Sequence, residues 1–239
     1  MNRIDSSHWL FSRPIAHRGL WNEDITENSL TAYKNAVENN LPFEIDVFSS
    51  SDGVLYCFHD DTLNRMCGEN GLIYNTESAV LNALSINDKG EKIPTLKEVL
   101  NLVGGKVPIL IEIKNQPDKK IVERLLAELH GYGGDYAVQS FNPLYLIKLK
   151  KLAPFILRGI LTTTEKENLQ NLSIIKKFVI KHTPFTRMIK PDFISVSFNS
   201  KIKRKYKKYP ILNWTVTDKN IAENIIKQGK NVIYEHFSF

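Results

Sequence analysis

Phe43-Glu44-Ile45-Asp46-Val47-Phe48 decides how this chain is read. Apolar residues frame two carboxylates, and the spacing of an extended strand turns Glu44 and Asp46 to the same side around Ile45. Further along, Ile109-Leu110-Ile111-Glu112-Ile113-Lys114 repeats the pattern with an acid and a base, Glu112 and Lys114, on one side of Ile113. A carboxylate left unpaired in an apolar interior costs several kcal/mol. Three of them near the ends of apolar strands therefore imply a cation, a solvent-open cleft, or both. His17-Arg18 and His59-Asp60 also fall at or just beyond strand-like runs, so one pocket can hold the whole set. The acids alone predict a hard-metal site.

Around these two stretches the chain alternates. Apolar, β-branched runs are expected as strands at Pro14 to Ala16, Phe43 to Phe48, Val54 to Phe58, Ile109 to Ile113, Tyr136 to Phe141, Leu157 to Leu161, Phe193 to Phe198, Ile211 to Val216 and Asn231 to Tyr234. Helix-period segments separate most of them. Thr95-Leu96-Lys97-Glu98 reads as a capping box ahead of an apolar face of Leu96, Val99, Leu100 and Val103, stopped by Gly104-Gly105. Asn142-Pro143 supplies a cap and a first-turn proline, and Asp218 caps a helix ending before Gly229. Ser51-Asp52-Gly53 turns the chain into a hairpin, which leaves eight strands each followed by a helix or a chain end. That count predicts a (β/α)8 TIM barrel with a small hairpin insertion after strand 2, formed by residues 1–239 as one domain. An open doubly wound sheet is the rival, weakened because no Gly-rich phosphate loop follows any strand.

With 239 residues, 42% of them hydrophobic, the chain can bury a full core. Met1 to Arg13 lacks the apolar stretch of a secretory signal, so a cytoplasmic location is expected. No stretch approaches the roughly 18 to 20 apolar residues of a membrane span, and stable membrane insertion is not expected. Cys57 and Cys67 are too few and too far from other thiols for a disulfide framework or a zinc pair, and Cys57 is expected in the core. The net charge of +6 is uneven: Leu146 to Lys208 holds sixteen Lys/Arg against three Asp/Glu. The run Lys201 to Lys208 is read as a solvated helix face in preference to a nucleic-acid or lipid contact.

Taken in order, Ala16-His17-Arg18-Gly19, Glu27-Asn28-Ser29, Glu44-Ile45-Asp46-Val47, Asp52-Gly53, His59-Asp60, Leu63-x-Arg65, Glu112-Ile113-Lys114, Gln139-Ser140-Phe141 and Trp214-Thr215-Val216 resemble the glycerophosphodiester phosphodiesterase family. Each piece alone is common; the ordered set is specific and spans nearly the whole chain. The resemblance implies a (β/α)8 barrel that hydrolyses glycerophosphodiesters, with a divalent cation, to sn-glycerol 3-phosphate and an alcohol. It implies that Glu44, Asp46 and Glu112 bind Mg²⁺ or Ca²⁺, and that His17 and His59 serve as general base and general acid. In the family mechanism the neighbouring glycerol hydroxyl attacks phosphorus and expels the alcohol, and water opens the resulting cyclic phosphate.

Arg18, Lys114 and Glu27 are expected to bind substrate, the two cations through phosphoryl oxygens, with pairing to Glu27 or a metal ligand as their structural alternative, while Phe141 and Trp214 are candidates to wall the pocket. Asn28 is read equally as a site residue or as the cap of a helix beginning near Ser29. The chain departs from the family pattern at Thr217, at Tyr234-Glu235 and at Ser49-Ser50-Ser51, and Thr162 to Pro191 is its least family-like region. The expected partner is a small-molecule glycerophosphodiester, with no nucleic acid. Two alternatives stand beside this reading. A phospholipase D acting on lysolipids would use the basic second half against a membrane, but the sequence shows no exposed apolar loop. A non-catalytic barrel binding a phosphorylated ligand would be expected to have lost a histidine or an acid, and none is lost.

Overall fold

The structure, a computed structural model, describes residues 3–166, 169–170, 172–201 and 203–239. Its strands are β1 (Ile15–Ala16), β2 (Phe43–Ser49), β3 (Leu55–Cys57), β4 (Ile109–Ile113), β5 (Tyr136–Ser140), β6 (Arg158–Thr162), β7 (Phe193–Ser197), β8 (Ile211–Val216) and β9 (Asn231–Tyr234). All nine expected runs form strands. Helices alternate with them, β3 alone runs antiparallel beside β2, and the fold is a (β/α)8 barrel with the hairpin where the sequence places it. The chain divides into two compact units, Ala16–Tyr136, and Met1–Ile15 with Ala137–Phe239.

In the unit Ala16–Tyr136, β2 is buried along its whole length. A strand with both faces covered must be near-continuously apolar, so the two acids within it are a deliberate exception. β2 pairs in parallel with β4, from Phe43↔Ile109 to Val47↔Ile113, and Ala16 of β1 pairs with Phe43. The helices Leu30–Glu38 and Leu96–Val103 pack together, the second held by the expected capping box between Thr95 and Glu98 and ended by Gly104 in the left-handed region. Ser29 caps the first through its side chain. Between β3 and β4, the short helices Asn64–Cys67 and Ser78–Leu81 close over a cluster of Phe48, Tyr56, Phe58, Leu63, Ile73 and Leu81. Cys57 is buried, as expected.

In the other unit β5 to β9 run parallel, each in register with the next. The helix Pro143–Leu152 starts from Asn142 with Pro143 in its first turn, and Lys219–Lys227 starts from Asp218. Leu146, Ile160, Ile194, Val196 and Tyr206 form its core. Asn231 in β9 donates to the carbonyls of Leu10 and Arg13 at 2.9 and 2.6 Å, fixing the short helix Trp9–Ser12.

Two sequence expectations change here. The run Lys201 to Lys208 is not a helix face: apart from Ile202, which lies outside the described residues, it holds a single short turn at Arg204–Tyr206, with Tyr206 buried. The region Thr162 to Pro191 does carry an exposed apolar segment, the helix Ile174–His182. Its residues follow a helical period, and periodicity alone does not tell which way an apolar face turns. Among the described residues no helix is long and apolar enough to cross a membrane.

Candidate active site

Register builds the site. Ala16, the last residue of β1, pairs with Phe43, so His17 and Arg18 leave the strand beside Glu44. Asp46 pairs with Glu112 across β2 and β4, and side chains at paired positions of a parallel ladder face the same way. The side chains of Glu44, Asp46 and Glu112 are buried, and each offers an oxygen within 4.8 Å of the others.

Three acids so close resist ionising together. Burial, then the neighbouring charges of Asp46 and Glu112, raise the pKa of Glu44 well above the usual carboxylate range. Burial likewise lifts Glu112 to about 7. Asp46 goes the other way: burial opposes its charge, but Lys114, then His59 and Arg18, hold it below the usual range.

Lys114 supplies the balancing cation, its Nζ lying 3.3 Å from Asp46 Oδ1 and 3.2 Å from Glu112 Oε1. Its burial disfavours the charge, and Asp46 and Glu112 more than restore it, so its pKa is raised. Arg18 takes a left-handed backbone, φ 57°, which lets its main-chain N–H donate to Glu44 Oε2 at 3.2 Å while its guanidinium pairs with Glu27 at 2.6 Å. Its buried Nε lies 3.6 Å from Asp46 Oδ2 and makes no hydrogen bond.

Asn28, also left-handed at φ 52°, donates from Nδ2 to Asp46 Oδ2 at 3.0 Å and accepts from Tyr33 Oη at 2.7 Å. Ser29 is the helix cap, and Asn28 belongs to the acidic cluster.

His59 follows β3 and is half-buried. Burial, then Lys114, lower its pKa to about 4, so the imidazole is neutral near pH 7. Its Nδ1 lies 2.7 Å from Asp60 Oδ1. Burial raises the Asp60 carboxyl, but hydrogen bonds from His59 and Arg65 outweigh it and hold it below the usual range. An ionised carboxylate only accepts, so Nδ1 carries the ring proton and Nε2 is left with a free lone pair. Arg65 grips both Asp60 oxygens, at 2.6 and 3.0 Å, and also bonds Glu27. A chain of contacts thus runs from His59 through Asp60, Arg65, Glu27 and Arg18 to the acidic cluster.

The donor set fits a hard divalent cation: three carboxylates on two rigid strands, all oxygen, with Lys114 partly offsetting their mutual repulsion. His17, half-buried at the end of β1, is among the charges acting on Asp46. The structure therefore brings together Glu44, Asp46, Glu112, Lys114, Arg18, Glu27, His17 and His59 within one unit. Phe141 and Trp214 belong to the other unit, where their rings meet edge to face with centroids 5.6 Å apart.

The sequence model of the glycerophosphoryl diester phosphodiesterase family matches residues 17–232. This chain belongs to that family. Within it, the chain is 30% identical over 229 residues to a glycerophosphodiester phosphodiesterase of Caldanaerobacter subterraneus subsp. tengcongensis, covering 90% of each sequence. A Thermotoga maritima glycerophosphodiester phosphodiesterase of known structure is 25% identical, with a TM-score of 0.70 over 92% of both chains. An Oleispira antarctica phosphodiesterase, solved in complex with the product sn-glycerol-3-phosphate, shares the fold at 24% identity, with a TM-score of 0.76 over 93% of this chain and 92% of that one.

Asp60 and Arg65, to which the sequence assigns no role, also join this network of contacts. The signal was local for Asp60, which adjoins His59. For Arg65 there was none, because its partners Glu27 and Asp60 meet only in the folded chain.

Proposed function

We propose that this chain hydrolyses glycerophosphodiesters to sn-glycerol 3-phosphate and an alcohol, with a divalent cation, Mg²⁺ or Ca²⁺, held by Glu44, Asp46 and Glu112. The observation that carries this reading is the buried carboxylate triad flanked by a neutral histidine whose Nε2 is a free base. Membership of the family and the named activity of its relatives support the same reaction.

When bound, the cation supplies Lewis-acid stabilisation of negative charge on phosphoryl oxygen. The protein's own groups do the rest. His59 Nε2 takes the proton of the glycerol hydroxyl next to the phosphodiester, and that oxygen closes on phosphorus to give a cyclic phosphate. His17 gives a proton to the departing alcohol oxygen, and the two exchange roles when water opens the ring. This reading takes base and acid in the opposite order to the one expected from sequence, and the contact between His59 Nδ1 and Asp60 supports it. Arg18 and Lys114 oppose the charge that builds on the phosphoryl group.

The test is product identity. Incubation of the purified protein with glycerophosphocholine should release choline and sn-glycerol 3-phosphate in equal amounts, with little turnover of lysophosphatidylcholine. Turnover of lysophosphatidylcholine alone would move the assignment to a lysolipid phospholipase D.

A further inference from the structure

The helix Ile174–His182, Ile-Ile-Lys-Lys-Phe-Val-Ile-Lys-His, is held on the protein by polar contacts while its largest apolar side chains face water. Thr162 Oγ1 donates to the Ile180 carbonyl at 2.7 Å, and Ser173 caps the first turn. None of the nine residues is buried, and Ile174, Ile175 and Phe178 are 85%, 77% and 54% exposed. A helix on a globular surface ordinarily turns such side chains inward, so exposing three together marks an interaction site.

The lysine-rich run folds back onto the same helix. Lys203 donates to the Lys181 carbonyl and Lys205 to that of His182, placing the run against the helix C-terminus. Lys176 and Lys181 lie on the helix itself.

We propose that Ile174–His182 with this lysine run is a docking surface for an anionic lipid bilayer. Ile174, Ile175 and Phe178 enter the headgroup boundary, and the lysines meet lipid phosphates. Charge selects this occupant. Leu146 to Lys208 holds sixteen Lys/Arg against three Asp/Glu, so a second copy would bring like charge against like. A nucleic acid would satisfy the lysines and leave three large apolar side chains in water. Nine residues are too few to span a membrane, which makes the attachment peripheral. If the proposed reaction holds, docking places the enzyme where deacylation of phospholipids releases its substrate; the docking claim itself rests on no catalytic residue.

Vesicle co-sedimentation tests it, with the full chain, vesicles of phosphatidylcholine alone, and vesicles in which a third of the lipid is phosphatidylglycerol. Binding to the anionic vesicles is expected, weakened by high salt. The exposed double substitution Ile174→Glu, Phe178→Glu should reduce the partition coefficient by about tenfold or more, and Lys176→Glu, Lys181→Glu should reduce it too. Glycerophosphocholine turnover in free solution, or the melting temperature should the chain prove inactive, serves as the control and should not change in either variant. Failure to bind anionic vesicles overturns the proposal, as does binding that both double variants retain. A dimer in sedimentation velocity that Ile174→Glu, Phe178→Glu dissolves, with no vesicle binding, would make this face a contact between copies.

Discussion

Asp46 and Glu112 stand side by side as paired residues of the parallel strands β2 and β4, and a single ammonium, that of Lys114, lies within 3.3 Å of both. Lys114 stands in the centre of the acidic cluster as its internal counter-charge. Removing one partner of a buried ion pair strands the other's charge, at a cost larger than the pair's net worth.

Lys114→Gln should therefore destabilise the cation-free protein by about 1–3 kcal/mol, a melting shift of roughly 2–4 °C per kcal/mol for a chain of this size. Added Mg²⁺ or Ca²⁺ should recover more of the loss in the variant than it adds to the wild type, because the cation replaces the missing charge. Thermal melts in EDTA and in each metal check this. Equal metal-induced shifts would separate Lys114 from the cation site.

Cation uptake should release protons. With Glu44 raised and Glu112 at about 7, the cluster without its cation carries protons near neutrality that a divalent cation must displace. Metal affinity should rise as pH climbs through about 7. Calorimetric titrations in two buffers of different ionisation enthalpy read the proton count directly, and identical apparent enthalpies would contradict it.

Asp60→Asn should lower kcat by about 10²–10⁴ with little change in KM or metal affinity. An asparagine can serve either imidazole nitrogen as donor or acceptor, so it no longer enforces the proton on Nδ1 that leaves Nε2 free. Asp60→Glu should restore part of the rate. A purely structural Asp60 would instead show lost melting temperature with kcat unchanged in the folded fraction.

Asp52, in the turn between β2 and β3, accepts hydrogen bonds from Ser50 and Ser78 and is lowered from 3.8 to about 2. A depressed carboxylate pKa stabilises the fold above the unfolded value, and the contribution fades as pH falls from about 4 through about 2. Wild type should therefore lose melting temperature more steeply over that window than Asp52→Asn does. Parallel acid slopes would remove Asp52 from the balance.

Gly19→Ala should destabilise the fold by about 1–3 kcal/mol. Gly19 has φ +85°, and an added Cβ would sit 2.9 Å from the Ala32 backbone carbon. Because this glycine carries the loop that presents His17 and Arg18, the variant should lose activity along with stability, measurable as a lower denaturant midpoint.

The fold was legible because its signals are local. Apolar runs such as Ile109–Ile113 and caps such as Thr95–Glu98 and Asn142–Pro143 depend on near neighbours, and all became the expected elements. The charged pairs along β2 and at the end of β4 were readable for the same reason, since strand period alone turns Glu44 with Asp46 and Glu112 with Lys114. Three features were not readable. Asn28 reaches Asp46 only through a left-handed backbone, Arg65 finds Glu27 only through the tertiary fold, and the outward face of Ile174–His182 has the same periodicity as an inward one.

The most direct measurement is glycerol 3-phosphate release from glycerophosphocholine by the EDTA-stripped protein, before and after addition of Mg²⁺ or Ca²⁺, beside Glu112→Gln. The account predicts no release when stripped, restoration by one of the metals, and a much higher metal requirement in the variant. Full release in EDTA, or a variant with unchanged metal dependence, would contradict the assignment of Glu44, Asp46 and Glu112 as the cation site on which turnover depends.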